Sequence, residues 1–174
     1  EVSCYDGNDG WIEIFPTGGT GTYSYTLTHI ETGNEIESES GLFENLIAGT
    51  YSIEVVDENE CATDPSTFNI VLTQPDELLI DDIVLSTYDC GSDTYNISCS
   101  GADDATITPI IIPGGGVQPY TYSLYNNDTG ILFQEYDEAE LPIQNIAPGS
   151  YYLKVEDNYE CFADSAPFDI TEPE

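Results

Sequence analysis

Short alternations of apolar and polar residues run through the chain and predict strands rather than helices. In Tyr51-Ser52-Ile53-Glu54-Val55 every second side chain is apolar, so Tyr51, Ile53 and Val55 share one face of an extended segment and Ser52 and Glu54 the other. Tyr151, Leu153 and Val155 repeat that face a hundred positions later. The stretches Trp11 to Phe15, Thr22 to Ile30, Tyr51 to Val56 and Thr67 to Leu72 are rich in aromatic and β-branched residues, and Gly, Pro, Asn or Asp bounds each of them. Leu78 to Ser86 and Ile110 to Ile112 add further strand candidates. No segment sustains a helical period, so the expected class is all-β, as immunoglobulin-like β-sandwich domains.

The pattern occurs twice in the same order. Gly18-Gly19 followed by Tyr23-Ser24-Tyr25-Thr26-Leu27 returns as Gly114-Gly115 followed by Tyr120-Thr121-Tyr122-Ser123-Leu124, and Glu31-Thr32-Gly33 returns as Asp128-Thr129-Gly130. Asn45 to Tyr51 returns as Asn145 to Tyr151, Asp57 with Glu60-Cys61 as Asp157 with Glu160-Cys161, and Thr73-Gln74-Pro75 as Thr171-Glu172-Pro173. Five ordered matches at similar spacing mark an internal repeat, which predicts two tandem modules, 1–75 and 76–174. Gly91-Ser92-Asp93 followed by Tyr95 resembles Gly7-Asn8-Asp9 followed by Trp11. That similarity aligns Cys90 with Cys4, puts Cys99 at the position of Phe15, and requires an insertion near 102–113. The rival alignment, Cys99 with Cys4, keeps the distance to the glycine pair constant.

Charge narrows the set of partners. The chain holds 34 Asp and Glu against one basic residue, Lys154, for a net charge of -33. It contains no arginine to fork onto phosphates, so nucleic acid and anionic membrane surfaces are repelled, and cations are the natural counter-species. No apolar stretch approaches the roughly 20 residues of a membrane-spanning helix, and no signal peptide is visible, so direct membrane insertion is not expected and the chain reads as an excerpt or a processed product. Catalytic patterns are weak. Asp128-Thr129-Gly130 matches the aspartic-protease triplet, yet its counterpart Glu31-Thr32-Gly33 marks both as hairpin turns. The glycine clusters open no helix and carry no lysine, so they are turns and not phosphate loops. No enzyme activity is expected.

Several of these segments carry a family resemblance. Val2-Ser3-Cys4, Gly7-Asn8-Asp9-Gly10, Gly18-Gly19, Tyr23-Ser24-Tyr25, Leu46-x-Ala48-Gly49-Thr50-Tyr51, Val55-Val56-Asp57-x-Asn59-x-Cys61 and Thr73-Gln74-Pro75 together resemble the SprB repeat of very large gliding-motility adhesins of Bacteroidetes. The resemblance implies a non-catalytic stalk and contact module of a long surface filament. It also implies export by type IX secretion, an extracellular location anchored at the outer membrane, and neighbouring repeats or a surface polysaccharide as partners. The alternatives are a carbohydrate-binding accessory module of a secreted enzyme, with Tyr23, Tyr25, Tyr120 and Tyr122 as stacking candidates, and a filament subunit joined by strand addition.

On this reading Cys4 pairs with Cys61 and Cys90 with Cys161, as suits cysteines in an oxidising compartment, and Cys99 is a buried free thiol; the rival pairing joins Cys99 to Cys161. The first bond would bring Asp6, Asn8 and Asp9 beside Asp57 and Asn59, and the second module offers Asp93 with Asp157 and Asn158. These are the hard oxygen donors that calcium takes, so calcium is the one candidate cofactor and none is required. Asp164-Ser165-Ala166 matches a Bacteroidetes O-glycosylation triplet, which makes Ser165 a candidate acceptor.

Overall fold

The protein's structure is a computed structural model that describes residues 1–112 and 114–174. The chain divides into two compact units, Glu1–Pro75 and Asp76–Glu174. Both are all-β, with two single-turn 3-10 helices, Pro65–Thr67 and Glu138–Glu140, as the helical elements among the described residues. Among those residues no helix is long and apolar enough to cross a membrane.

The first unit contains strands β1 (Gly10–Glu13), β2 (Tyr23–His29), β3 (Glu35–Ser38), β4 (Leu42–Leu46), β5 (Gly49–Asp57) and β6 (Asn69–Leu72). β1 pairs with β4 in one sheet, and the second sheet runs β3-β2-β5-β6. All pairings are antiparallel. The chain therefore alternates between sheets, β4 returning to β1 and β5 returning to β2, which is the strand exchange of an immunoglobulin-like sandwich. The core lies between the sheets: Ile12 of β1 with Phe43 and Leu46 of β4 face Tyr25 and Leu27 of β2, Tyr51, Ile53 and Val55 of β5, and Leu72 of β6, with Val2 closing one end. The alternation in 51–55 is realised as expected, Tyr51, Ile53 and Val55 being buried and Ser52 and Glu54 half-buried.

The second unit repeats this plan and adds to it. Its strands are β7 (Ile80–Leu85), β8 (Tyr88–Cys90), β9 (Asp93–Tyr95), β10 (Ala105–Ile111), β11 (Thr121–Asn126), β12 (Leu132–Asp137), β13 (Ile143–Ile146), β14 (Gly149–Glu156), β15 (Phe162–Asp164) and β16 (Phe168–Ile170). One sheet runs β13-β10-β7; the other runs β12-β11-β14, with β15 and β16 pairing along β14. β10 corresponds to β1, since Ala105 pairs Ile146 and Ile107 pairs Ile143 just as Gly10 pairs Leu46 and Ile12 pairs Phe43, with the register shift at the same place. β7 and the β8–β9 hairpin are additions that precede this common plan. The extra length of the unit thus lies before Cys99. The expected insertion near 102–113 falls instead on strand β10, Pro113 lying outside the described residues.

A shared device fixes the turn into the central strand of each unit. The Tyr51 hydroxyl donates to the Ile47 carbonyl at 2.8 Å and the Tyr151 hydroxyl to the Ala147 carbonyl at 3.2 Å. A tyrosine at the start of the sixth immunoglobulin strand that bonds back to its own corner is characteristic of such sandwiches. Burial pushes both phenols above their ordinary range, with Glu31 adding to the shift at Tyr51 and Asp103 at Tyr151. Tyr151→Phe keeps the ring in the core and removes only the bond, so it should lower unfolding free energy in urea by about 1 kcal/mol. A variant as stable as the parent would show that the corner is held by ring packing alone.

Candidate functional site in the acidic turns

The repeated aspartate ends the central strand of each unit and organises two loops around itself. Asp57 Oδ1 accepts from the backbone N–H groups of Asn59 at 3.0 Å and Cys61 at 2.9 Å, while Oδ2 accepts from the Thr20 N–H at 3.0 Å and the Thr20 hydroxyl at 3.3 Å. The Asn59 side-chain amide also donates to the Thr20 hydroxyl. In the second unit Asp157 Oδ1 accepts from the N–H groups of Tyr159 at 2.8 Å and Cys161 at 3.0 Å, and Oδ2 from Val117 at 2.8 Å. Glu60 and Glu160 sit in the left-handed region at φ 62° and 65°, a conformation unusual for glutamate that the clamped turn imposes. The bonds from Cys61, Thr20 and Asn59 outweigh desolvation and hold the Asp57 carboxyl below the usual carboxylate range.

These carboxylates latch the turn that follows the central strand to the glycine loop that precedes β2 or β11. Their lone pairs are directed at backbone N–H groups, a structural role that the sequence signalled only as a repeated Asp-x-x-Glu-Cys with a distant glycine pair.

The other expected calcium donors lie elsewhere. Val2 N–H bonds the Thr73 carbonyl, Gly10 pairs Leu46, and Asp6 N–H bonds the Gln74 side chain, which puts 2–10 at the end of the sandwich where Gly49 pairs Leu72. Asp57 closes the opposite end of β5. Eight residue steps of strand, roughly 26 Å, separate the two turns, so Asp6, Asn8 and Asp9 do not meet Asp57 and Asn59. Asp9 accepts from the Ser3 N–H at 3.0 Å, and its carboxyl is lowered by the Ser3 bonds. Asn8 is exposed. In the second unit Asp93 is exposed in the hairpin rooted at Ser86 and Asn96, whose backbone bonds Thr171 at the Gly149 end of β14, while Asp157 and the exposed Asn158 lie at the other end. Among the described residues no group of three or more His, Cys, Asp or Glu side chains converges as a metal would need.

The same geometry revises the cysteines. Cys61, Cys90 and Cys99 are free thiols, whereas Cys4 and Cys161 are disulfide-bonded. The expected pairs Cys4–Cys61 and Cys90–Cys161 are therefore not formed. Each would join opposite ends of a central strand, although a disulfide needs Cα atoms within about 7 Å. Cys99, expected to be buried at the position of Phe15, is exposed. It corresponds to Cys4: Ser98 N–H bonds Asp104 as Ser3 N–H bonds Asp9, Ala102 N–H bonds the Cys99 carbonyl as Gly7 N–H bonds that of Cys4, and Gly101 N–H bonds Glu172 as Asp6 N–H bonds Gln74. The choice of Cys90 as the counterpart of Cys4 is corrected accordingly. Gly91-Ser92-Asp93 resembles Gly7-Asn8-Asp9 because a hairpin turn draws on the same residues.

The remaining candidates have local duties. Ser165 is half-buried; its hydroxyl accepts from the Leu153 N–H at 2.9 Å and donates to the Ala166 carbonyl at 2.9 Å, filling the gap between β15 and β16. The Thr63 hydroxyl does the same for the Val55 N–H at 2.9 Å. Tyr25, Tyr120 and Tyr122 are buried, and the Tyr23 and Tyr120 hydroxyls bond the Gly18 and Gly115 carbonyls, so these four rings do not form an open stacking platform. Burial, with help from the Glu138 charge, pushes the Tyr122 phenol up to about 12. Lys154 pairs with Glu156 at 2.8 Å and covers the Phe162 ring at 4.4 Å.

The SprB repeat family matches residues 1–32 and 91–129, one stretch in each unit. No curated protein matches the chain. Among solved structures, the amphioxus IgVJ-C2 molecule aligns over 98% of this chain and 99% of its own at 16% identity, with a TM-score of 0.32. The immunoglobulin-like assignment made above rests on strand order and the two tyrosine corners.

Two measurements probe the site. Asp157→Ala leaves the Val117, Tyr159 and Cys161 N–H groups without their acceptor and should cost about 1–3 kcal/mol in urea unfolding, with Asp157→Asn, which keeps one oxygen, costing less. Equal losses would sink the latch assignment. With the donors at opposite ends, calcium and magnesium at equal concentration should raise the melting temperature alike, by screening a net charge of -33. A rise specific to calcium and reversed by chelator would overturn that expectation.

Proposed function

We propose, from the premise that the chain carries the SprB repeat once in each of its two units, that it is a non-catalytic segment of a long surface adhesin. In this reading the modules serve as stalk and contact surface in adhesion or gliding. The observation that carries it is the duplication of a whole structural plan down to its internal bonds. The latch at Asp57 and Asp157, the corner at Tyr51 and Tyr151, and the paired bonds of Ser3 and Ser98 are the same construction used twice. A duplicated site of this kind, with its carboxylate directed at backbone N–H groups, stabilises a module, which suits a unit multiplied for length.

The charge supports the same reading. A net charge of -33 on 174 residues keeps neighbouring copies apart and soluble at high local concentration, as a crowded surface array requires. An extracellular location and type IX export belong to this proposal through the family.

Antibodies raised against the purified chain should label intact, unpermeabilised cells of the source organism, and their Fab fragments should reduce attachment or gliding. Labelling that appears only after permeabilisation would overturn the proposal.

A further inference from the structure

The two units differ at one edge. In the second unit β10 is flanked on both sides, by β13 and by β7. β7 lies antiparallel to it with Leu85 opposite Ile107, Val84 opposite Thr108 and Ile83 opposite Pro109. Beyond the strand end, Ser86 N–H donates to the Thr106 carbonyl at 3.0 Å, and Thr106 N–H donates to the Ser86 hydroxyl at 2.9 Å. Ile80, Ile83 and Leu85 pack on the core of that unit.

In the first unit β1, the counterpart of β10, pairs with β4 alone among the described residues. Ile14 N–H bonds the Gly41 carbonyl, on the side of β4. By the alternation of strand hydrogen bonding, the N–H and C=O groups of Glu13 and Trp11 point the other way, as those of Thr106 do toward β7. The neighbouring side chains are open: Trp11 is 58% and Phe15 77% exposed. An unpaired edge beside exposed aromatics is a template for another strand.

We infer that the free edge of β1 is a strand-acceptor site, and that its occupant is an inter-repeat segment of the Ile80–Leu85 type, added antiparallel with apolar side chains at the positions of Ile80, Ile83 and Leu85. The occupant is identified by the interface already formed on the equivalent edge, where a segment of that kind completes the sheet and part of the core. Main-chain bonds to Trp11 and Glu13 supply affinity, and the apolar positions supply register. The inference rests on the array reading, in which such a segment precedes every module and completes the sandwich that follows it.

The test uses the 174-residue chain and a synthetic peptide of residues 78–86, Leu-Leu-Ile-Asp-Asp-Ile-Val-Leu-Ser. Trp11 is the single tryptophan, so its fluorescence reports on β1 and is blind to exchange in the second unit. The expected result is a saturable, one-to-one change in Trp11 emission with slowed hydrogen exchange at the Trp11 and Glu13 amides. Glu13→Pro removes an outward N–H, which an edge strand tolerates, and should weaken binding about tenfold or more. Should that variant fold poorly, proline at the Val84 position of the peptide makes the same test with the chain intact.

An unchanged Trp11 spectrum at high peptide concentration would overturn the inference. So would equal binding by a peptide with serine at the Ile80, Ile83 and Leu85 positions, or a Trp11 change that follows chain concentration without peptide, which would make the edge a contact between copies. A silent Trp11 together with positive surface labelling would remove the acceptor site and leave the array reading standing; positive binding with no surface labelling would do the reverse.

Discussion

A single carboxylate in each unit decides how the sandwich closes. Asp57 and Asp157 stand where the central strand ends, and each draws N–H groups from its own turn and from a loop about 40 residues earlier in the chain. An ionised acceptor is well suited to this, because hydrogen bonds to a charged group are the stronger kind. It helps set the turn that carries Cys61 or Cys161 and holds a glutamate at positive φ. Without it the glycine loop would lose its anchor at the point where β2 or β11 begins. The corner tyrosine fixes the opposite end of the same strand, so β5 and β14 are secured at both ends by groups that recur in sequence.

That arrangement explains what was legible in the sequence. Strands whose apolar residues alternate, such as Tyr51 to Val55, could be read directly because one face must enter the core. The duplication was equally plain, since the latch, the corner and the glycine loop all depend on specific residue types. What pairs with what across the sandwich was less visible. Placing Cys4 beside Cys61 assumed that two acidic, cysteine-bearing turns belong together, whereas strand direction sets them at opposite ends of β5. The true counterpart of Cys4 had a usable signal: Ile97-Ser98-Cys99 repeats Val2-Ser3-Cys4, and an aspartate follows the serine by six positions in both. The glycine and aspartate of the β8–β9 hairpin imitated the same motif closely enough to mask it.

The acidity has two layers. Some carboxylates are committed to backbone: Asp9 and Asp104 serve the segments led by Ser3 and Ser98, Glu31 accepts from Thr50, Asp64 caps its short helix, and hydrogen bonds lower all four. Because their folded values are depressed, the stability they contribute is present at neutral pH and lost as the pH falls through and below the ordinary carboxylate range near 4. Many of the remaining acids lie exposed and repel one another, so the same protein both uses negative charge to fix its turns and carries an excess that favours separation between copies.

The positions of the cysteines have a mechanical meaning. Cys4 and Cys61 mark the two ends of β5, and Cys99 and Cys161 the two ends of β14, so the bonded cysteine of each pair anchors one end of its central strand while the other end carries a free thiol. The covalent anchor thus falls at opposite ends of equivalent strands, at the corner end of β5 and at the carboxylate end of β14, so one repeated plan is fastened differently in each copy.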